Sequence, residues 1–143
     1  MPYEFLEDIA TADIAFRAWG KNLEETFIAA SDATMNVMVE NLDSIQPVER
    51  RKLQLQNEAL DMLLFDLLQE LIYYKDTKKL MLRIHQIQIK KEDGKYVLKA
   101  ITFGEKLDPK RHATRADVKA VTLHSFQLVE TDQGWETQII LDI

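Results

Sequence analysis

Asp13 and Asp142 are the residues whose chemistry depends most on being brought together. Asp13 stands at the beginning of one strand-like segment. Asp142 is penultimate at the end of another, next to Ile143, whose α-carboxylate ends the sequence. If the two strand ends meet, Asp13, Asp142 and the Ile143 carboxylate form an all-oxygen donor set. That set suits a hard cation such as calcium or magnesium, whereas zinc and copper prefer nitrogen or sulfur. The plain alternative is a pair of solvated strand-end aspartates. No local calcium loop of the Asp-x-Asp-x-Asp-Gly type is present.

A second concentration of reactive groups lies in the polar stretch from Gly104 to His124. His112 follows Lys110 and Arg111, and Arg115 and Lys119 come after it. A histidine among cations can shuttle a proton or contact a phosphate, and arginine matches phosphate bidentately. It can equally be a surface-loop residue capping a carbonyl. Lys119 reads as a solvated strand-edge residue or as a contact to a phosphate or a partner's carboxylate. His124 reads as a half-buried strand residue facing the same way as Thr122 and Phe126. The sequence has no Gly-x-Ser-x-Gly elbow, Walker loop, Gly-x-Gly-x-x-Gly turn or helical pair of histidines. No complete catalytic set assembles from these residues.

The elements that must hold these groups are legible from periodicity. Tyr3–Asp8 and Asp13–Trp19 read as strands. Asn22 followed by Glu25 is a helix N-cap pair, and Leu23, Phe27, Ala30, Thr34 and Val37 recur on one face. An amphipathic helix is therefore expected over about residues 23–40. Arg51–Gln56 alternates as a strand. A leucine-rich stripe predicts a second helix over about 58–74, with Asp76–Lys79 as a loop. Met81–Lys91 and Tyr96–Phe103 read as a hairpin about Asp93-Gly94, with a phase slip at His85-Gln86 that suggests a bulge. Val118–Glu130 and Trp135–Leu141 form a last strand pair. The expected fold is α+β: a single domain over residues 1–143 with mostly antiparallel sheets and two main helices.

Composition narrows the function classes. With no cysteine, disulfides, thiolate metal sites and a cysteine nucleophile are excluded. A net charge of −6, from 24 acidic and 18 basic side chains, argues against a general nucleic-acid binder. It leaves room for a protein partner or a small basic patch on an acidic body. No apolar run approaches the roughly 18 residues of a membrane span, and the acidic start is unlike a signal peptide. A cytoplasmic protein without a membrane role is expected.

Several motifs together resemble one family. They are Tyr3-Glu-Phe-Leu-Glu, Thr11-Ala12-Asp13, Ala18-Trp19-Gly20-Lys21 and Gly104-Glu105. The most specific is Asp108-Pro-x-Arg111-His112, followed by Val118-Lys119-Ala120-Val121-Thr122-Leu123-His124; Gly134-Trp135 and Ile140-Leu-Asp142-Ile143 complete the set. In this order, over essentially the whole chain, they resemble the archease family. The resemblance implies a small α+β protein without catalytic activity that assists an RtcB-type RNA ligase in tRNA splicing. Its members promote ligase guanylylation and multiple turnover, and broaden the ligase's nucleotide use. RNA would then be reached only through the ligase. The resemblance also implies a calcium site on Asp13, Asp142 and Ile143, and a functional role for Lys119. Arg111, His112 and His124 are expected as partner contacts. Many members carry a histidine directly before Thr-Ala-Asp; here Asp8-Ile9-Ala10 precedes that triplet, and Asp8 becomes an additional candidate ligand. Leu123 stands where a tyrosine is common. The residues alone also permit a metal-dependent phosphoester hydrolase built on Asp13 and Asp142 with His112 as acid or base, or a general folding helper.

Overall fold

The computed structural model describes residues 2–6 and 13–143. Asp8, Thr11 and Ala12 lie outside these, so Asp8 as a ligand is not addressed by the fold. Among the described residues, seven strands and two α-helices follow the order β1 (Tyr3–Leu6), β2 (Asp13–Gly20), α1 (Leu23–Met38), β3 (Glu49–Asn57), α2 (Leu60–Lys78), β4 (Leu80–Glu92), β5 (Lys95–Lys106), β6 (Ala120–Thr131) and β7 (Gly134–Asp142). A single 3-10 turn, Leu42–Ser44, links α1 to β3. One sheet has the order β1-β2-β7-β6 and the other β3-β5-β4. All pairings are antiparallel, which bears out the α+β reading.

Helix α1 begins as its sequence dictates. Asn22 Oδ1 accepts from the Glu25 N–H at 2.8 Å, and Glu25 Oε2 accepts from the Lys21 N–H at 3.2 Å. The helix departs from the amphipathic expectation, because it is buried on nearly every side from Thr26 to Met38. It touches β1, β2, β4, β7 and α2, so strands and a helix cover the faces that a surface helix would expose. Thr26, Ser31 and Thr34 tolerate this by donating their hydroxyls to carbonyls four residues earlier. It ends at Met38, two residues short of the expected Glu40.

Helix α2 starts two residues later than expected, at Leu60, and runs four residues further, to Lys78. Asp76-Thr77-Lys78, read as a loop, forms its last turn, and Lys79 caps it in the left-handed region at φ 56°. Lys75, just before this last turn, is buried, with its side chain held by partners remote in sequence. Leu63, Leu64, Leu67, Leu68 and Leu71 are fully buried, each worth roughly 1.5–3 kcal/mol of burial. The β4–β5 hairpin turns at Asp93 and Gly94, both at positive φ (50° and 77°), as a type I′ turn requires. The bulge expected at His85-Gln86 is present, between Ile84 and Gln86.

Candidate functional site

The four-stranded sheet brings the two aspartates together. In the β2–β7 ladder Asp13 is the direct cross-strand partner of Asp142. In the β6–β7 ladder Ala120 is the partner of Asp142 on the other side. Directly opposed residues share a sheet face, with Cβ atoms about 4.5–5.5 Å apart. Asp13, Asp142 and Ala120 therefore form one row across three strands, and the methyl of Ala120 leaves room beside the carboxylates. Like charges directly opposed are destabilising unless something neutralises them. Both aspartates are half-buried, as is Ile143, the residue after β7. The donor set is thus all oxygen and short of positive charge, which is what a hard cation fits. Asp13 and Asp142 are oxygen donors of the kind that could hold calcium or magnesium, and Ile143 follows Asp142 directly.

Lys119 is fastened to the same strand end. Its backbone N–H donates to the carbonyl of Asp142 at 2.8 Å, while its side chain is exposed. The site thus pairs a half-buried carboxylate row with an exposed cation one residue away.

The connection before Lys119 is ordered by hydrogen bonds to the C-terminal end of α1. Glu40 N–H donates to the Ala113 carbonyl at 2.8 Å, Arg115 N–H to Met38 at 2.9 Å, and Ala116 N–H to Val37 at 3.1 Å. The polar stretch is also shorter than the sequence suggests. Gly104 and Glu105 belong to β5, leaving the irregular part between Lys106 and Ala120. Gly104 is required by close packing, since a Cβ there would collide with the carbonyl of Met81 on β4. Lys75 tightens the loop from below. Its Nζ donates to Asp117 Oδ1 at 2.7 Å and to the Val118 carbonyl at 2.8 Å, and it also pairs with Asp76. Burial would lower its pKa, but the bonds to Asp117 and Asp76 outweigh that and raise it.

His112 needs correction on both sequence expectations. It is 1 % exposed, so it is neither a surface-loop residue nor a side chain that a partner can touch. Its Nδ1 accepts from the Asp108 N–H at 2.9 Å, and its Nε2 lies 3.1 Å from Glu105 Oε2. Arg111 ion-pairs with the other oxygen of Glu105 while remaining exposed itself. The Gln46 N–H donates to Glu105 Oε2 at 2.6 Å. Burial pushes the Glu105 pKa up, but Arg111, the Gln46 N–H and His112 together lower it to about 2. His112 is thus a loop pin. Periodicity gave no warning, because its partners are fixed by tertiary contacts.

His124 also departs from expectation. It is exposed, because the β6–β7 register slips between Thr122 and Gln127 and Ser125 takes a positive φ of 54°. The slip breaks the alternation that grouped His124 with Thr122 and Phe126. The structure brings together Asp13, Asp142, Ile143 and Lys119; it leaves Arg111 and His124 exposed elsewhere and places His112 in the interior. Glu105 and Lys75 are the supporting residues that sequence reasoning did not single out. A glutamate beside an obligatory glycine was the one available signal for Glu105.

Comparison with known proteins agrees over the whole length. The model of the Archease protein family (MTH1598/TM1083) matches residues 3–143. The protein archease of Pyrococcus abyssi is 37% identical over 134 residues, covering 93% of this chain and 94% of that protein. That of Methanosarcina mazei is 36% identical over 142 residues, covering 99% and 95%. The solution structure of Methanobacterium thermoautotrophicum protein 1598 superposes with a TM-score of 0.85 at 30% identity, covering 99% of each chain. A Thermotoga maritima structure described as an archease and possible chaperone shares the fold, with a TM-score of 0.65 at 20% identity and 98% coverage of each chain. On the family model and these relatives, the chain belongs to the archease family.

Proposed function

We propose that this protein is an accessory activator of an RtcB-type RNA ligase in tRNA splicing. It promotes ligase guanylylation and multiple turnover and broadens nucleotide use, with a bound hard cation and no catalysis of its own. Membership of the archease family supports the reading. The observation that carries it is the register that sets Asp13 opposite Asp142 and ties Lys119 to the same strand end. When bound there, a calcium ion supplies positive charge that lets two opposed carboxylates coexist. Asp13 and Asp142 hold the cation, and the Ile143 carboxylate completes the set. The exposed Lys119 side chain, whose backbone is tied to the same strand end, makes the contact to ligase. Positive and negative groups side by side give such a docking edge its orientation and partner choice. Arg111 and His124, both exposed away from this strand end, are further candidate contacts to the ligase.

The test is a ligase guanylylation assay with and without this protein over a series of calcium and chelator concentrations. Stimulation that depends on both protein and divalent cation is expected. An unchanged guanylylated fraction overturns the reading. A residue appended after Ile143 tests that ligand separately: calcium affinity should fall, and an unaltered affinity removes Ile143 from the set.

A further inference from the structure

The outer face of the three-stranded sheet carries a charge pattern opposite to that of the chain. Along β3, β4 and β5 the ladder places Lys52, Ile101 and Gln86 in one row, Gln54, Lys99 and Gln88 in the next, and Gln56, Val97 and Lys90 in a third. Arg50 sits on the same face opposite Phe103. The alternate positions on the other face, such as Leu53, Leu98 and Ala100, are buried in the core. Arg50, Lys52, Lys90 and Lys99 are all exposed. Among the described residues, no carboxylate lies within ion-pair distance of any of them. By contrast, Arg83 beside them is held by Asp32 and Asp43, at 3.2 and 3.4 Å. Further along the same face, Glu92 stands opposite Lys95 at the hairpin end.

We infer that this face binds single-stranded nucleic acid through its phosphates. Four unpaired cations on an acidic body form a surface that only a polyanion complements. The same rows carry the exposed amides of Gln54, Gln56, Gln86 and Gln88, which both donate and accept hydrogen bonds and so suit phosphates, sugars and base edges. At the end nearest the bulge, exposed His85 stands edge-on to the ring of Phe103, with centroids 5.4 Å apart. Cations interleaved with aromatic rings on an open sheet are the usual means of holding single strands without sequence preference. A cleft of about 990 Å³ runs between this sheet and the first turns of α1, with Lys52, His85 and Lys99 on the sheet side. Glu24 and Glu25 line the helix side, so a polyanion lies along the open sheet and not deep in the cleft. The inference is independent of the ligase reading, and departs from the expectation that RNA is reached only through the ligase.

The experiment is fluorescence anisotropy of a labelled oligouridine of roughly 15 nucleotides, on the protein alone, across a salt series. With four phosphate contacts, log affinity should fall against log salt with a slope near −3 (about −0.7 per contact). The triple variant Lys52→Gln, Lys90→Gln, Lys99→Gln should bind at least tenfold more weakly, with a slope shallower by about 2. The same charge change at the exposed Lys78, Lys79 and Lys106 should leave binding within about twofold. His85→Ala should weaken binding without altering the slope. Binding lost equally in both triple variants would assign it to net charge and overturn the proposal. So would absence of binding by the parent protein. Displacement of the oligonucleotide by polyglutamate as readily as by unlabelled oligouridine would move the assignment to an acidic protein partner.

Discussion

The outer faces of the two sheets are built by the same alternation and end with opposite charge. On the four-stranded sheet the ladder sets Asp13 against Asp142 and Arg17 between Glu4 and Glu136. On the three-stranded sheet it sets lysines beside glutamines and leaves them unpaired. The first face sets two carboxylates directly opposite each other, an arrangement that a bound cation would relieve. The second contains no conflict, because its cations are spread over strands and project into water. Exposed lysines in high dielectric cost little. Half-buried opposed carboxylates cost more, and that cost is what a cation site exploits. Glu105 offers a third case: a buried carboxylate fully compensated by Arg111, His112 and a backbone N–H.

The largest effect expected on this contrast is at the acidic row. Asp142→Asn should lower calcium affinity by about a hundredfold or more, read by titration calorimetry. At calcium a hundred times the parent dissociation constant, the parent gains about 2.7 kcal/mol of stability and the variant loses nearly all of it. Equal affinities in parent and variant would dissolve the idea that the opposed pair is a site.

Next in size is Glu105→Ala, which removes the shared acceptor of Arg111, His112 and the Gln46 N–H. Chemical denaturation should show a loss of about 2–3 kcal/mol. The sign of its pH dependence follows from the direction of the shift. A carboxylate held down to about 2 when folded contributes stability above the ordinary carboxylate range and loses it as pH falls toward 2. Parent stability should decline across that window, and the variant should decline less. Parallel curves would show that Glu105 is not the titrating group.

Lys119→Ala should be the gentlest to the fold, changing stability by less than about 0.5 kcal/mol because the ammonium is exposed and its backbone bond is retained. Ligase guanylylation should nevertheless fall several-fold. A marked drop in melting temperature would instead make Lys119 a structural residue, and the contrast between buried carboxylates and exposed cations would weaken.

Strands, hairpin turn, bulge and both helices were legible because each is written in local periodicity, in the Asn22 cap and in Asp93-Gly94. Asp13 and Asp142 were legible as a candidate pair from residue type and position alone. His112 was misread because it carries a polar side chain in polar surroundings, and nothing local says that it is buried. His124 was misplaced because a register slip resets which residues face the core.

The sequence by itself determined the elements, the acidic balance and the oxygen-only donor types, since these depend on side-chain chemistry and on spacing within a segment. Only the tertiary structure decided that Asp13 faces Asp142, that Glu105 anchors the loop, and that four lysine and arginine side chains share one open face. Each of these depends on which strands pair and in what register, and burial and long-range hydrogen bonding set that register together.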